Sequence, residues 1–80
     1  MTIRVKLMAS LRSKLPPGSQ LGTAQLDIEE GASVAAVLDR LGIAGGHVYL
    51  VMVNGEMEPD RQRRLTEGDE LVVFPPVAGG

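Results

Sequence analysis

Two segments near the start of the chain alternate between apolar and polar residues. They cover residues 2–8 and 23–28, and their apolar positions are Ile3, Val5, Leu7, Ala24, Leu26 and Ile28. Successive side chains of a β-strand point to opposite faces, so this period of two predicts two strands that are each buried on one side. A short helical turn over residues 9–15 and a loop at residues 16–19 connect them.

A wider apolar spacing begins after Gly31. The apolar residues that follow it fall on one side of a helix with 3.6 residues per turn: Val34, Val37, Leu38 and Leu41. Ser33 is a favoured N-cap, and Gly42 is a favoured residue just beyond a helix end. The pattern therefore predicts one amphipathic helix between these two residues.

The second half of the chain predicts further strands. Residues 48–53 form a continuous apolar run, and the Asn54-Gly55 pair after it is typical of a two-residue hairpin turn. Residues 56–58 then form a short return strand, and residues 70–74 form the final strand. The order predicts an α+β domain in which a sheet of four to five strands packs on one main helix.

The final strand carries apolar residues on both of its faces. Leu71 and Val73 can face the helix, and Val72 and Phe74 then point outward. One helix covers only one face of a sheet, so outward apolar residues suggest a docking surface. The alternative is that a loop folds over them and Phe74 belongs to the core.

Six residues follow the final strand, and their composition predicts an extended tail. Pro75 and Pro76 resist helix formation and central-strand pairing. Gly79 and Gly80 have no side chains and can enter passages too narrow for other residues. We therefore expect a folded domain over residues 1–74 and a flexible tail over residues 75–80, with the terminal carboxylate of Gly80 as the reactive group.

Composition narrows the classes of function. The chain has 80 residues, enough for one domain, and its formal charge of −2 does not favour nucleic-acid binding. It has no cysteine, which excludes disulfides, zinc-thiolate sites and a cysteine nucleophile, and its single histidine provides no metal-binding constellation. No apolar run approaches 18 residues, and the N-terminus leads into a charged strand rather than a signal peptide. We therefore expect a cytoplasmic protein.

Several motifs along the chain together resemble one known family. They are Ile3 to Ala9 with Arg12, the helix after Ser33, Val53-Asn54-Gly55, Leu65 to Leu71, and Phe74-Pro75-Pro76-Val77-Ala78-Gly79-Gly80. With these motifs the chain resembles the ubiquitin-like sulfur carriers of the β-grasp fold. The Phe-Pro-Pro segment favours the branch that contains the small subunit of molybdopterin synthase over the thiazole-forming carriers.

The resemblance implies a ubiquitin-like β-grasp fold, with a mixed sheet of four to five strands on one main helix, and a cycle of chemistry at the terminus. An ATP-dependent activating enzyme adenylates the carboxylate of Gly80, and a sulfurtransferase converts the adenylate to a thiocarboxylate. The tail then enters the large subunit of molybdopterin synthase and donates sulfur to a cyclic pyranopterin. In this cycle the chain is a sulfur donor without a cofactor, and the catalytic residues lie on the large subunit.

The resemblance also implies roles for individual residues. Gly80 carries the adenylate and then the thiocarboxylate, and Gly79 allows the tail to thread a narrow passage. The partner-binding residues that it implies are Met8, Leu65, Phe74, Pro75 and Pro76. Met8 stands where the family has an aromatic residue, and its flexible side chain can fill the same kind of gap.

Other functions remain open at this stage. The competing functions are a sulfur carrier for thiazole, cysteine or tRNA thiolation, a protein modifier that forms isopeptide bonds, and a β-grasp binding module with an unused tail. We expect His47 to be a solvated loop residue and Asp69 to belong to a turn. The arginines at positions 61, 63 and 64 form a basic cluster that is either solvated or faces an acidic partner.

Overall fold

The structure, a computed structural model, describes residues 1–76 and contains one five-stranded sheet. The strands are β1 (Thr2–Leu7), β2 (Thr23–Asp27), β3 (Leu50–Val53), β4 (Glu56–Met57) and β5 (Glu70–Phe74). They lie in the order β2-β1-β5-β3-β4, with β1 and β5 parallel and the other neighbours antiparallel. The predicted mixed sheet is therefore confirmed, and its last strand in sequence lies at its centre.

One α-helix, α1 (Val34–Arg40), packs on this sheet. The hydroxyl of Ser33 accepts a hydrogen bond from the backbone N–H of Ala36 at 3.1 Å, which satisfies one unpaired donor of the first turn. Beyond the other end, Gly42 has a φ of +74° and donates to the carbonyl of Asp39 at 3.0 Å. Both predicted helix signals thus act at the predicted residues.

The core lies between α1 and the sheet, where the alternating apolar residues point. The first-strand and final-strand residues are almost fully buried: Ile3, Val5, Leu7, Leu71 and Val73. Helix residues Val34, Val37 and Leu38 meet them from the other side, whereas Leu41 is only half-buried. The predicted inward faces are confirmed, and together with the topology they give the predicted ubiquitin-like β-grasp architecture.

Four strands are shorter than the sequence predicts, β3 by two residues and β1, β2 and β4 by one residue each. The apolar run at residues 48–53 enters the sheet only at Leu50, because Val48 closes a 3₁₀ turn (Gly45–His47) by donating to the Gly45 carbonyl at 3.2 Å. The return strand β4 has two residues, and one further bond from Glu58 to Val51 at 2.8 Å follows it. A second 3₁₀ helix (Ala9–Lys14) matches the predicted turn after β1.

The predicted tail lies mostly outside the described residues, which end at Pro76. None of the helices within residues 1–76 has both the length and the apolar character that a bilayer crossing requires.

Candidate docking face and tail root

The start of the tail is held at the centre of the sheet. The carbonyl of Phe74 accepts the N–H of Tyr49 at 2.8 Å, and on the other side the N–H of Met8 donates to the carbonyl of Val73 at 3.0 Å. Because β5 is bonded to a neighbour on each side, its end cannot shift without disturbing β1 and β3. Pro75 is half-buried, Pro76 is exposed, and Gly79 and Gly80 lie outside the described residues.

An apolar band crosses the face of the sheet that points away from α1. It consists of Leu50, Met52, Val72 and Phe74, all half-buried. Phe74 lies opposite Leu50 and Val72 lies opposite Met52 in the β3–β5 register, so the four side chains form two adjacent rows. The outward positions predicted for Val72 and Phe74 therefore become part of a continuous surface.

The band has a cationic side and a methionine side. On the β1 side, Lys6 is exposed and neighbours Val72 in the parallel register, while the next cation, Arg4, pairs with Glu70 at 3.5 Å. On the β4 side, Met57 lies opposite Met52 and is 69% exposed. The surface can accordingly meet a partner that is apolar at its centre.

The residues implied by family matching do not all lie on this face. Met8 is half-buried beside β5, to which its backbone is bonded, so it adjoins the end of the apolar band. Leu65 is only 1% exposed and belongs to the core cluster, with its N–H bonded to the Ala32 carbonyl at 2.8 Å. Leu65 therefore offers almost no surface to a partner, and its placement corrects the expectation that it belongs to the docking patch.

A buried carboxylate fastens the turn before β5 to the β3–β4 hairpin. Asp69 is 8% exposed, and its carboxylate accepts bonds from the N–H of Thr66 at 2.8 Å and the side-chain amide of Asn54 at 2.9 Å. Burial alone would raise the pKa of Asp69, but these hydrogen bonds and the charge of Arg63 outweigh it, and the pKa is lowered. Asp69 is thus a turn residue, as predicted, and its role here is structural.

The basic cluster is largely used within the fold. Arg63 pairs with Glu58 at 3.0 Å, and Arg64 donates to the carbonyl of Gly31 at 3.0 Å. Arg61 is half-buried and donates to the carbonyl of Glu58 at 3.2 Å. His47 is exposed in its 3₁₀ turn, and residues 1–76 contain no group of acidic or histidine side chains arranged to hold a metal ion.

Sequence reasoning missed half of the apolar band. Leu50 and Met52 belong to the run at residues 48–53, for which the sequence pattern predicts a strand and no outward face. A signal was present, because alternate residues of any apolar strand must face away from a single helix. The same argument that placed Val72 and Phe74 outward would have placed these two beside them.

A family model and several solved structures agree with the resemblance drawn from the sequence motifs. The sequence matches the model of the ThiS family over residues 5–80. No curated protein matches it significantly. Among solved structures, it is similar to the Haloferax volcanii small archaeal modifier protein 1, with 30% identity over 95% of this chain and 98% of that one, and a TM-score of 0.71.

Two further structures share the fold at lower identity. One is the putative molybdopterin converting factor subunit 1 from Pyrococcus furiosus, with 23% identity over 95% of this chain and 98% of that one, and a TM-score of 0.70. The other is a chain in the complex of subunits 1 and 2 of the molybdopterin-converting factor from Helicobacter pylori, with 16% identity over 100% of both chains and a TM-score of 0.63.

Proposed function

This chain belongs to the ThiS family of ubiquitin-like sulfur carriers, and from that premise we propose that its terminal glycine carries sulfur as a thiocarboxylate. The observation that carries the proposal is the family match, which extends to Gly80 on a fold whose central strand leads directly into Phe74-Pro75-Pro76. In this proposal the β-grasp domain at residues 1–74 binds the partner proteins, and residues 75–80 form the tail that carries the reactive carboxyl group.

The chemistry of a terminal carboxylate explains why the cycle needs activation. An α-carboxyl group has a pKa of about 3.5, so it is ionised at neutral pH and is a poor acceptor for nucleophiles. Attack of the Gly80 carboxylate on ATP forms an acyl adenylate and releases pyrophosphate. A persulfide on a sulfurtransferase then displaces AMP to form an acyl disulfide, and a thiol cleaves the S–S bond to release the thiocarboxylate and a disulfide on the sulfurtransferase. The cytoplasm supplies the ATP that adenylation consumes.

The end of β5 and the two prolines after it have features that suit delivery of the tail to a partner. The backbone bonds from Tyr49 and Met8 fix the end of β5, so the tail starts from a defined point beside the apolar band. Pro75 and Pro76 restrict the backbone and reduce the entropy lost when the tail enters a partner. We propose that Phe74 anchors the domain at the partner's entrance, with Met8, Pro75 and Pro76 at its margin.

We propose that the sulfur goes to a cyclic pyranopterin held by the large subunit of molybdopterin synthase. Phe74-Pro75-Pro76 supports this branch over the thiazole-forming carriers, and one structural neighbour is part of a complex between two subunits of a molybdopterin-converting factor. The carrier then needs no catalytic residues of its own, because binding the pterin and cleaving the acyl–sulfur bond fall to the large subunit.

A direct experiment separates this acceptor from the thiazole alternative. Purified thiocarboxylated protein is supplied to the molybdopterin synthase large subunit and, in parallel, to a thiazole synthase, and both products are followed. We expect dithiolene formation on the pyranopterin in the first reaction. Sulfur that appears only in the thiazole product would reject the acceptor and leave the carrier chemistry intact.

Protein modification is the second candidate, and one observation favours it. The Haloferax volcanii structure at 30% identity is named as a small archaeal modifier protein. A modifier uses the same activated carboxyl group but transfers it to a lysine, forming an isopeptide bond. Incubation with ATP, the activating enzyme and a cell extract tests this. Because the last basic residue is Arg64, trypsin would leave residues 65–80 attached to a modified lysine. Lysines carrying this remnant would support modification, and their absence would count against it.

A further inference from the structure

A groove runs along the outer edge of β3 because β4 is too short to cover it. β4 pairs only with Met52 and Val53, and the last bond from Glu58 reaches Val51. Pro59 follows and has no N–H with which to extend the ladder. The space that remains has a volume of about 370 Å³, and we call it the edge groove; it is lined by Tyr49, Leu50, Met57, Glu58, Pro59 and Arg61.

Two large apolar side chains in the edge groove are unusually exposed. Three large apolar residues stand out as exposed within residues 1–76, and two of them, Tyr49 at 70% and Met57 at 69%, line this groove. The third, Leu21 at 89%, lies far away in sequence in the turn before β2. Concentrated apolar exposure of this kind marks an interaction site more often than scattered single residues do.

The edge groove contains one charged residue of each sign, and only the acidic one is paired within residues 1–76. The carboxylate of Glu58 is already engaged, with Arg63 at 3.0 Å and with the N–H of Asp60 at 3.1 Å. Arg61 donates to one backbone carbonyl and forms no ion pair within residues 1–76. Its remaining guanidinium N–H groups therefore suit a carboxylate from outside the domain.

The edge groove is continuous with the apolar band. Met57 lines the groove and also faces Met52 across the hairpin, so the two surfaces share a boundary. The four half-buried side chains of the band expose less area than the roughly 800 Å² per partner of a standard interface. A stable complex therefore requires further surface, and the groove is the adjoining apolar region.

We propose that the edge groove is the second half of the docking surface, and that it receives an apolar segment of the partner protein whose carboxylate pairs with Arg61. The inference rests on the proposed function, since its partner is the large subunit that docks on the apolar band. The partner segment packs against Tyr49 and Met57, and its acidic side chain sets its position along the groove.

Association between the intact chain and the large subunit tests this inference by titration calorimetry. Arg61→Gln removes the charge and should weaken association about tenfold, the loss of one charge-assisted hydrogen bond. Arg61→Lys should recover part of the affinity, and Tyr49→Ser should weaken association by a similar factor. Arg64→Gln is the matched control, because Arg64 also donates one bond to a backbone carbonyl but lies outside the groove.

The outcomes separate this inference from the function on which it rests. Affinity should also fall less steeply with salt for Arg61→Gln than for the unchanged protein. If Arg61→Gln and Arg64→Gln bind the large subunit with equal affinity and Phe74→Ala binds it more weakly, the docking role of the edge groove is overturned. The proposed carrier function would still stand. A loss confined to binding of the activating enzyme would also overturn the docking role of the groove. An unchanged chain that fails to bind the large subunit would reject both.

Discussion

At the scale of single residues, the carboxylate of Asp69 couples folding stability to pH. Its pKa is lowered in the folded protein relative to the unfolded value of about 3.9, so the charged form favours the folded state. This contribution is fully present above the unfolded value and is lost as the pH falls through the folded pKa. The stabilisation by Asp69 is therefore constant near neutrality and disappears only in acid.

Asp69→Asn should lower the free energy of unfolding at pH 7 by about 1–3 kcal/mol. The new amide N–H would face the N–H groups of Thr66 and Asn54, which donate hydrogen bonds to the carboxylate in the unchanged protein. Urea denaturation at pH 7 and at about pH 3 measures this, and the difference from the unchanged protein should shrink at the lower pH. Asp39→Asn, on the exposed side of α1, is the control and should change stability by less than about 0.5 kcal/mol. A difference independent of pH would contradict the role of the charge.

Phe74→Ala should weaken docking to the large subunit more than it weakens folding, since part of the ring is exposed on the apolar band. A fully covered Phe buries roughly 150–250 Å², which gives about 4–6 kcal/mol as an upper bound for the lost affinity. Calorimetric titration and thermal melting of the same variant separate the two effects. Leu21→Ala serves as a control that removes an exposed apolar side chain elsewhere. Normal affinity together with a large loss of stability would identify the ring as core.

The residues proposed for docking differ in how far the sequence defines their positions. The outward position of Phe74 was predictable because alternation from Leu71 defines which face it occupies. Leu65 lies in a segment without regular alternation, so the sequence contained no information about its direction. The bond between the Leu65 N–H and the Ala32 carbonyl, 33 positions apart, turns it into the core, and no local pattern encodes such a contact.

At the scale of elements, the end of α1 depends on one backbone conformation. Gly42 adopts a φ of +74°, and the bonds from Gly42 to Asp39 and from Ile43 to Leu38, both 3.0 Å, close the helix. This pair of bonds is the Schellman motif, which satisfies carbonyls left unpaired at a helix end. It also directs the buried Ile43 back onto the core.

Gly42→Ala should reduce the free energy of unfolding by about 1–2 kcal/mol, because a residue with a Cβ is strained at positive φ. A Cβ built there meets nothing within 4 Å, so the effect isolates the backbone. Gly46→Ala is the matched control, since its site is equally open and its φ is not in the positive region; it should be neutral or slightly stabilising. Equal melting temperatures for the two variants would contradict this account.

Elements with a clear hydrophobic period were predictable from the sequence, whereas strand ends that are set by an adjoining turn were not. Alternation located β1 to within a residue, and the Asn54-Gly55 turn located the hairpin, with φ values of +52° and +84°. The start of β3 was predicted two residues early, because the apolar run continues through a 3₁₀ turn that composition does not reveal. The edge groove follows from the shortness of β4, which leaves the outer edge of β3 uncovered before Met52.

At the scale of the whole molecule, the family match confirms the resemblance drawn from the motifs, and the β-grasp sheet places the root of the tail at the centre of the fold. Threading the last strand between β1 and β3 buries Leu71 and Val73 while their neighbours face outward. The same strand thus holds the core together and extends the apolar band to the root of the tail.

Deletion of Gly80 should leave the folded domain unchanged, because a terminal residue beyond the last strand contributes little to the stability of a domain. The melting temperature should match that of the full chain. Activation should fail, because the reacting carboxyl group moves back by about 3.5 Å, and errors of about 1 Å can reduce rates roughly 100-fold. A large drop in melting temperature would instead show that the tail supports the fold.

The most direct test of the central claim is the intact mass of the protein after incubation with ATP, the activating enzyme and a sulfur donor. The full chain should gain the mass difference between one sulfur and one oxygen, and fragmentation should locate the gain at Gly80. The chain without Gly80 should show no gain. Thiocarboxylate formation on the shortened chain, or no gain on the full one, would contradict the assignment of Gly80 as the sulfur-carrying residue.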